Sequence, residues 1–129
     1  MTEPGFGGAH ALIGYEVDLT APDGSARVSL EIAAKHLNRN DSLHGGIVAM
    51  MLDAVAGFAA SRHFGGDDAT PVVTVSLTTN FVAAARSGRV SATGRVSGGG
   101  RKIVYAQAEL NDDQGRLIAN ATAVFKRIA

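Results

Sequence analysis

The chain of 129 residues has no cysteine, no tryptophan and only three prolines, and its aromatic side chains are five phenylalanines and two tyrosines. Without cysteine there can be no disulfide scaffold, no thiolate zinc site and no cysteine nucleophile, and the chain suits a reducing compartment. Charge of one sign is also missing: twelve basic and twelve acidic residues balance to zero. No strongly basic surface is therefore available to hold a polyanion, and nucleic acid is not an expected partner. Nor is there a long hydrophobic run, since the longest, residues 47–52, stops at Asp53, well short of the roughly 20 apolar residues that cross a bilayer. The opening Met-Thr-Glu-Pro-Gly-Phe-Gly-Gly lacks the basic start and apolar run of a signal peptide. These absences together lead us to expect a soluble, cytoplasmic protein with no membrane partner, residues 1–9 forming a flexible arm.

What is abundant is alanine, valine and glycine, so the core is expected to be built of small side chains in closely packed elements. A chain of this length supports one domain, residues 1–129, and gains from burying surface against a copy of itself.

From residue 14 to 20 the side chains alternate in the strand period, with Tyr15, Val17 and Leu19 on one side and Glu16, Asp18 and Thr20 on the other. The turn Ala21-Pro22-Asp23-Gly24 and a second alternating run at 27–32 complete a hairpin. After a polar connection, residues 45 to about 62 contain almost no polar residue except Asp53 and no proline, which predicts a helix covered on its whole circumference. Ser42 or a neighbour is placed to cap its first turn, and Gly65-Gly66 to end it. Four strand-like runs follow, at 72–82, 88–96, 103–110 and 117–126, separated by turn residues that make antiparallel neighbours. The predicted fold class is α+β, a curved antiparallel sheet of about six strands around one long helix.

Two features carry chemistry. Asp53 is an acid in an apolar helix, and an unpaired buried carboxylate costs several kcal/mol, a large share of the roughly 5–15 kcal/mol that hold a domain together. It is either a structural carboxylate satisfied by a neighbour or a functional one. His44-Gly45-Gly46 stands at the entrance of the same helix, where free amides and the helix dipole favour negative oxygen. It is either an oxyanion hole or an ordinary glycine-containing helix start with a surface histidine. The nine residues between His44 and Asp53 span about 13 Å of helix, so one chain does not easily bring both to one substrate atom, whereas antiparallel helices of a symmetric dimer do.

Asn38, His44-Gly45-Gly46 and Asp53 resemble, in type and spacing, the signature of the phenylacetate-type (PaaI-like) branch of the hotdog-fold thioesterases: an asparagine six residues before the histidine and an acid nine after it. The resemblance extends over nearly the full chain through the strand order, Thr74 and the Gly98-Gly99-Gly100-Arg101 turn. It implies an acyl-CoA thioesterase without cofactor or metal, active as a homodimer within a homotetramer. By the same resemblance Asp53 is nucleophile or general base, Gly45 and Asn38 polarise the thioester carbonyl, Thr74 holds the water or Asp53, and His44 orients the site. Two positions depart from the pattern, Asp41 where the family usually has glycine and Ala84 near its usual proline, and both concern loop geometry.

Gly46, Arg86, Arg89, Arg101 and Lys102 are the candidate contacts to substrate and CoA, the four cations lying in or beside turns where they either meet phosphates or serve as solvated surface charge. Ala49, Ala54 and Gly57 leave room for an aryl or an aliphatic acyl group. His10, His36 and His63 have no metal-ligand spacing. A non-catalytic hotdog protein that binds acyl-CoA or an acyl carrier is the alternative from another class. A hotdog dehydratase would need a histidine and acid placed differently.

Overall fold

The computed structural model describes residues 7–65 and 70–128. Helix α1 (Gly7–Ile13) leads into strands β1 (Glu16–Asp18) and β2 (Ala26–Glu31). A short 3-10 turn at Ala34–His36 precedes the long helix α2 (Gly45–Gly65), and β3 (Val72–Phe81), β4 (Arg89–Gly99), β5 (Ile103–Asp112) and β6 (Leu117–Arg127) complete the chain. All strands join one sheet in the order β1-β2-β4-β5-β6-β3, every pair antiparallel. This is the six-stranded sheet around a central helix that characterises the hotdog fold.

The connectivity explains the site. After β2 the chain runs through α2 to the far edge of the sheet, lays down β3, and returns so that β4 pairs with β2. β3 therefore pairs only with β6 and keeps one edge open over ten residues. The opposite edge, β1, is only three residues long, as sheet edges commonly are when they are protected from pairing.

Inward-facing residues of the sheet, among them Val28, Val90, Val104, Leu110 and Phe125, pack on Val48, Met51, Leu52 and Val55 of α2. Helix and sheet approach closely enough to demand glycine at one position: a Cβ at Gly94 would lie 2.6 Å from the Val55 carbonyl oxygen. An alanine there must push the two layers apart, an overpacking cost of about 1–3 kcal/mol.

Several expectations need correction. The arm expected over 1–9 is helical from Gly7; residues 1–6 lie outside the described residues, as does Gly66. Two buried histidines hold the segment that follows α1. His10 Nε2 meets the Tyr15 carbonyl at 2.5 Å. His36 accepts from the Ala33 amide at Nδ1, so its Nε2–H is the donor to the Ile13 carbonyl, at 2.8 Å. The first strand is shorter than 14–20, although its alternation is right, with Tyr15 buried and Glu16 and Asp18 exposed.

Helix α2 is the one described helix long and apolar enough to cross a membrane, but here it is the core element. Contrary to expectation, the chain covers only its sheet-facing side: Ala49, Met50, Asp53 and Ala54 are half-buried. The helix is apolar on more of its circumference than its own sheet covers.

Candidate active site

Asp53 lies midway along α2, and its surroundings differ from those its sequence context suggested. It is not sealed in the core but half-buried beside β3, where the Thr74 hydroxyl donates to its Oδ1 at 2.7 Å. The burial cost expected of an acid in an apolar run is thus relieved by partial exposure and a charge-assisted hydrogen bond. Oδ2 has no partner among the described residues. Thr74 reaches it because β3 is irregular at this point: Thr74 pairs with Phe125 and Ser76 with Val124, which leaves Val75 as an extra residue. Such bulges bend a strand and re-aim its side chains, and they are common beside active sites.

Tyr15, which shares one side of the first alternating run with Val17 and Leu19, belongs to the same environment. Its phenol is pushed above its ordinary range first by burial and second by the negative charge of Asp53. Tyr15 thus stays protonated within electrostatic reach of the acid. Alternation gave the side it shares with Val17 and Leu19; no local signal could reveal the charge of Asp53, 38 positions away.

The start of α2 holds the other candidates. His44, rather than Ser42, is the cap: its Nδ1 accepts from the Gly46 amide at 2.9 Å, so the proton of a neutral ring sits on Nε2. The Gly46 N–H proposed for substrate binding is thereby committed within the chain, and a Cβ at Gly46 would come within 3.0 Å of the His44 ring. The Ile47 and Val48 amides bond the His44 carbonyl. The Gly45 N–H alone in this turn has no partner among the described residues.

Asn38 sits before the helix in a tight loop. Its Oδ1 accepts from the backbone amides of Asn40 (2.9 Å) and Ser42 (3.1 Å), which settles the orientation of the carboxamide and leaves the NH2 as its donor end. Asn38 and Gly45 together line a cleft of about 370 Å³ with Leu43, Val48, Phe81 and Ile118. Asp41 takes the left-handed conformation, φ 56°, so aspartate does what the family's glycine usually does at this position.

The four cations are not gathered. Arg86 bonds the Asn40 carbonyl at 2.9 Å and lies 3.5 Å from that of Asp41. Arg89 pairs with Glu16 at 2.9 Å. Arg101 and Lys102 lie beyond the other end of β4 from Arg89, and both are exposed. Gly57 is half-buried and faces the Phe125 ring, 3.3 Å from where its Cβ would be. No group of acids and histidines suited to a metal occurs among the described residues.

Within one chain, then, the structure joins Asp53 to Thr74 and Asn38 to Gly45, and separates the two pairs. Gly45 and Asp53 are eight residues apart, about 12 Å along the helix.

The fold and this arrangement define a class. The chain belongs to the Thioesterase superfamily, whose model matches residues 40–119. The putative esterase PA0474 of Pseudomonas aeruginosa is 34% identical over 99 residues, 76% of this chain and 72% of that protein. The medium/long-chain acyl-CoA thioesterase YigI of Escherichia coli is 30% identical over 94 residues, 64% of this chain and 61% of that protein. A mutant of the phenylacetic acid degradation protein PaaI from Thermus thermophilus superposes with a TM-score of 0.81 at 26% identity, covering 93% of this chain and 98% of that one. The chain is a hotdog thioesterase of the PaaI-like branch, a thioester hydrolase.

Proposed function

We propose that the protein hydrolyses an acyl-CoA thioester at an active site completed by two copies of the chain, with Asp53 of one copy acting on a carbonyl held by Asn38 and Gly45 of the other. The observation that carries this reading is the Thr74–Asp53 hydrogen bond of 2.7 Å. It fixes a carboxylate beside an open sheet edge, about 12 Å along the helix from the free amide of Gly45. The edge itself supports a second copy. Val73, Val75, Phe81 and Val82 are all about half exposed or more, and a long apolar edge strand is a template for pairing with another chain. The half-covered side of α2 is the apolar surface such a partner would close over.

In this reading the Gly45 N–H and the Asn38 NH2 donate to the thioester oxygen as it gains charge, and one such donor contributes about 3–4 kcal/mol to lowering the barrier. Asp53 takes a proton from water as the water oxygen bonds to the carbonyl carbon; the tetrahedral adduct then collapses, the C–S bond breaks, and the proton passes to the departing CoA sulfur. Direct attack by Asp53 would instead form an acyl anhydride as the C–S bond breaks and CoA leaves as the thiolate, and water hydrolyses the anhydride in a second step. Single turnover in 18O-water tests for direct attack, since hydrolysis of the anhydride at its aspartyl carbonyl places the label in Asp53, which general-base attack by water never does. His44 holds the first turn of α2 and so orients Gly45. Arg101 and Lys102 remain as contacts for the CoA phosphates, whereas Arg89 is engaged with Glu16. Two such dimers form a homotetramer working on CoA esters in the cytoplasm.

The test is release of free CoA from a panel running from phenylacetyl-CoA to the medium and long chains named for YigI, with wild-type protein and Asp53→Asn. Turnover lost in the variant at unchanged oligomeric state supports the reading. Tight binding of every ester without hydrolysis by the wild type would overturn it.

A further inference from the structure

Arg86 was a candidate for phosphate contact, but its surroundings give it other work. It stands in the connection between β3 and β4, and this connection is joined to the loop before α2 at two points. The Leu43 amide bonds the buried Ala85 carbonyl at 2.7 Å, and the Arg86 guanidinium bonds the Asn40 carbonyl at 2.9 Å with that of Asp41 at 3.5 Å. The loop so gripped is the one that sets Asn38. The Asn38 amide donates to the Ser42 carbonyl and the Asn38 carbonyl accepts from the Asp41 amide, and its side-chain oxygen accepts from the Asn40 and Ser42 amides. Asp41 sits in a left-handed conformation that costs a non-glycine residue energy and persists only where the surroundings over-determine it.

We infer that Arg86 is a positioning residue for the thioesterase reaction: it clamps the carbonyls of Asn40 and Asp41 so that the Asn38 carboxamide stays turned with its oxygen into the loop and its NH2 to the cleft. This rests on the reading of Asn38 as a donor to the thioester oxygen. Both clamped carbonyls belong to exposed residues, so removing Arg86 hands them to water and frees the loop at little cost to the fold. What is lost is alignment, and a small misplacement of a donor is enough to lower turnover.

The experiment is a double-mutant cycle of Arg86→Ala and Asn38→Ala, assayed with an acyl-CoA and with the same acyl group on N-acetylcysteamine, which has no phosphates. Amide exchange of Asn40 and Ser42 is measured in parallel. Arg86→Ala is expected to lower kcat at least tenfold on both thioesters by the same factor, with KM within threefold. In the Asn38→Ala background it should add less than a twofold loss, and Arg86→Lys, which can still reach one carbonyl, should recover part of the activity. The Asn40 and Ser42 amides should exchange at least ten times faster in Arg86→Ala. A rise in KM for the CoA ester alone, or loop amides that exchange at the wild-type rate, would overturn the clamp. If Asn38→Ala turns over normally while the loop amides still exchange faster in Arg86→Ala, the clamp stands and the catalytic reading of Asn38 fails.

Discussion

The two ends of the Asn38-to-Asp53 segment are built in opposite ways. At the helix entrance nearly every polar group is tied down: Asn38 to its own loop, Gly46 to His44, and Arg86 to the carbonyls of the loop. The Gly45 amide is left over at the end of this network. Around Asp53 there is a single bond, from Thr74, and beyond it an unpaired strand edge. A rigid donor that needs no partner to be in place, and an acid set beside an edge that invites one, are the two half-sites one would build for a shared active site. Pre-organisation is most useful where charge develops.

The largest effect should come from the acid. Replacing Asp53 by Asn removes the base or nucleophile and is expected to lower kcat by about 10²- to 10⁴-fold, measured by CoA release; a variant with wild-type turnover would end the comparison. Next comes Gly45→Pro. Proline suits the first position of a helix, where it deletes the N–H without breaking any bond of the turn. A loss of roughly 10²- to 10³-fold in kcat is expected with α-helical circular dichroism retained. Thr74→Val keeps the shape and removes the one donor to Asp53. A charge-assisted hydrogen bond of about 1.5 kcal/mol predicts roughly tenfold slower turnover, and an unchanged kcat would show that Asp53 needs no such support.

Stability effects are smaller and separate scaffold from site. Asp41→Val puts a branched residue in a left-handed position and should destabilise by about 1–2 kcal/mol in denaturant titrations, whereas Asp41→Gly should not. Asp18 and Asp23 are held below their ordinary values by hydrogen bonds from Thr20 and Ser25, and Asp112 by the Arg116 amide. Their folded-state values lie below the unfolded value of about 3.8, so the stability they contribute is present above it and lost as pH falls through the lower folded values. Thermal midpoints should therefore drop below about pH 4. Asp18 ends β1, Asp23 stands in the turn that follows and Asp112 ends β5, and none of them bonds Asp53, so Asp18→Asn should flatten this acid limb without changing turnover at neutral pH.

Much of this was legible along the chain because it depends on local chemistry. Alternation located β2, and turn residues bounded the four later strands closely, since side chains facing a helix recur every second residue and tight turns need their own residue types. The long stretch with almost no polar residue except Asp53 marked α2, and the left-handed tolerance of aspartate anticipated Asp41. The misses share a cause. Alternation without partners overran β1, and α1 has too few residues to show a period. The contacts of Arg86 and Gly57, with neighbours 46 and 68 positions away, leave no local signal.

The sequence by itself determined the class of fold, the residue types of the site and their spacing, because periodicity, turn chemistry and the Asn, His-Gly-Gly and Asp pattern are properties of short stretches of chain. Only the tertiary structure decided which of these residues meet. Thr74 reaches Asp53 through a bulge on the far edge of the sheet, and Arg86 reaches the Asn38 loop through the return from that same edge. Both contacts follow from where the chain crosses over between β2 and β3, and a crossover leaves no mark on any local pattern.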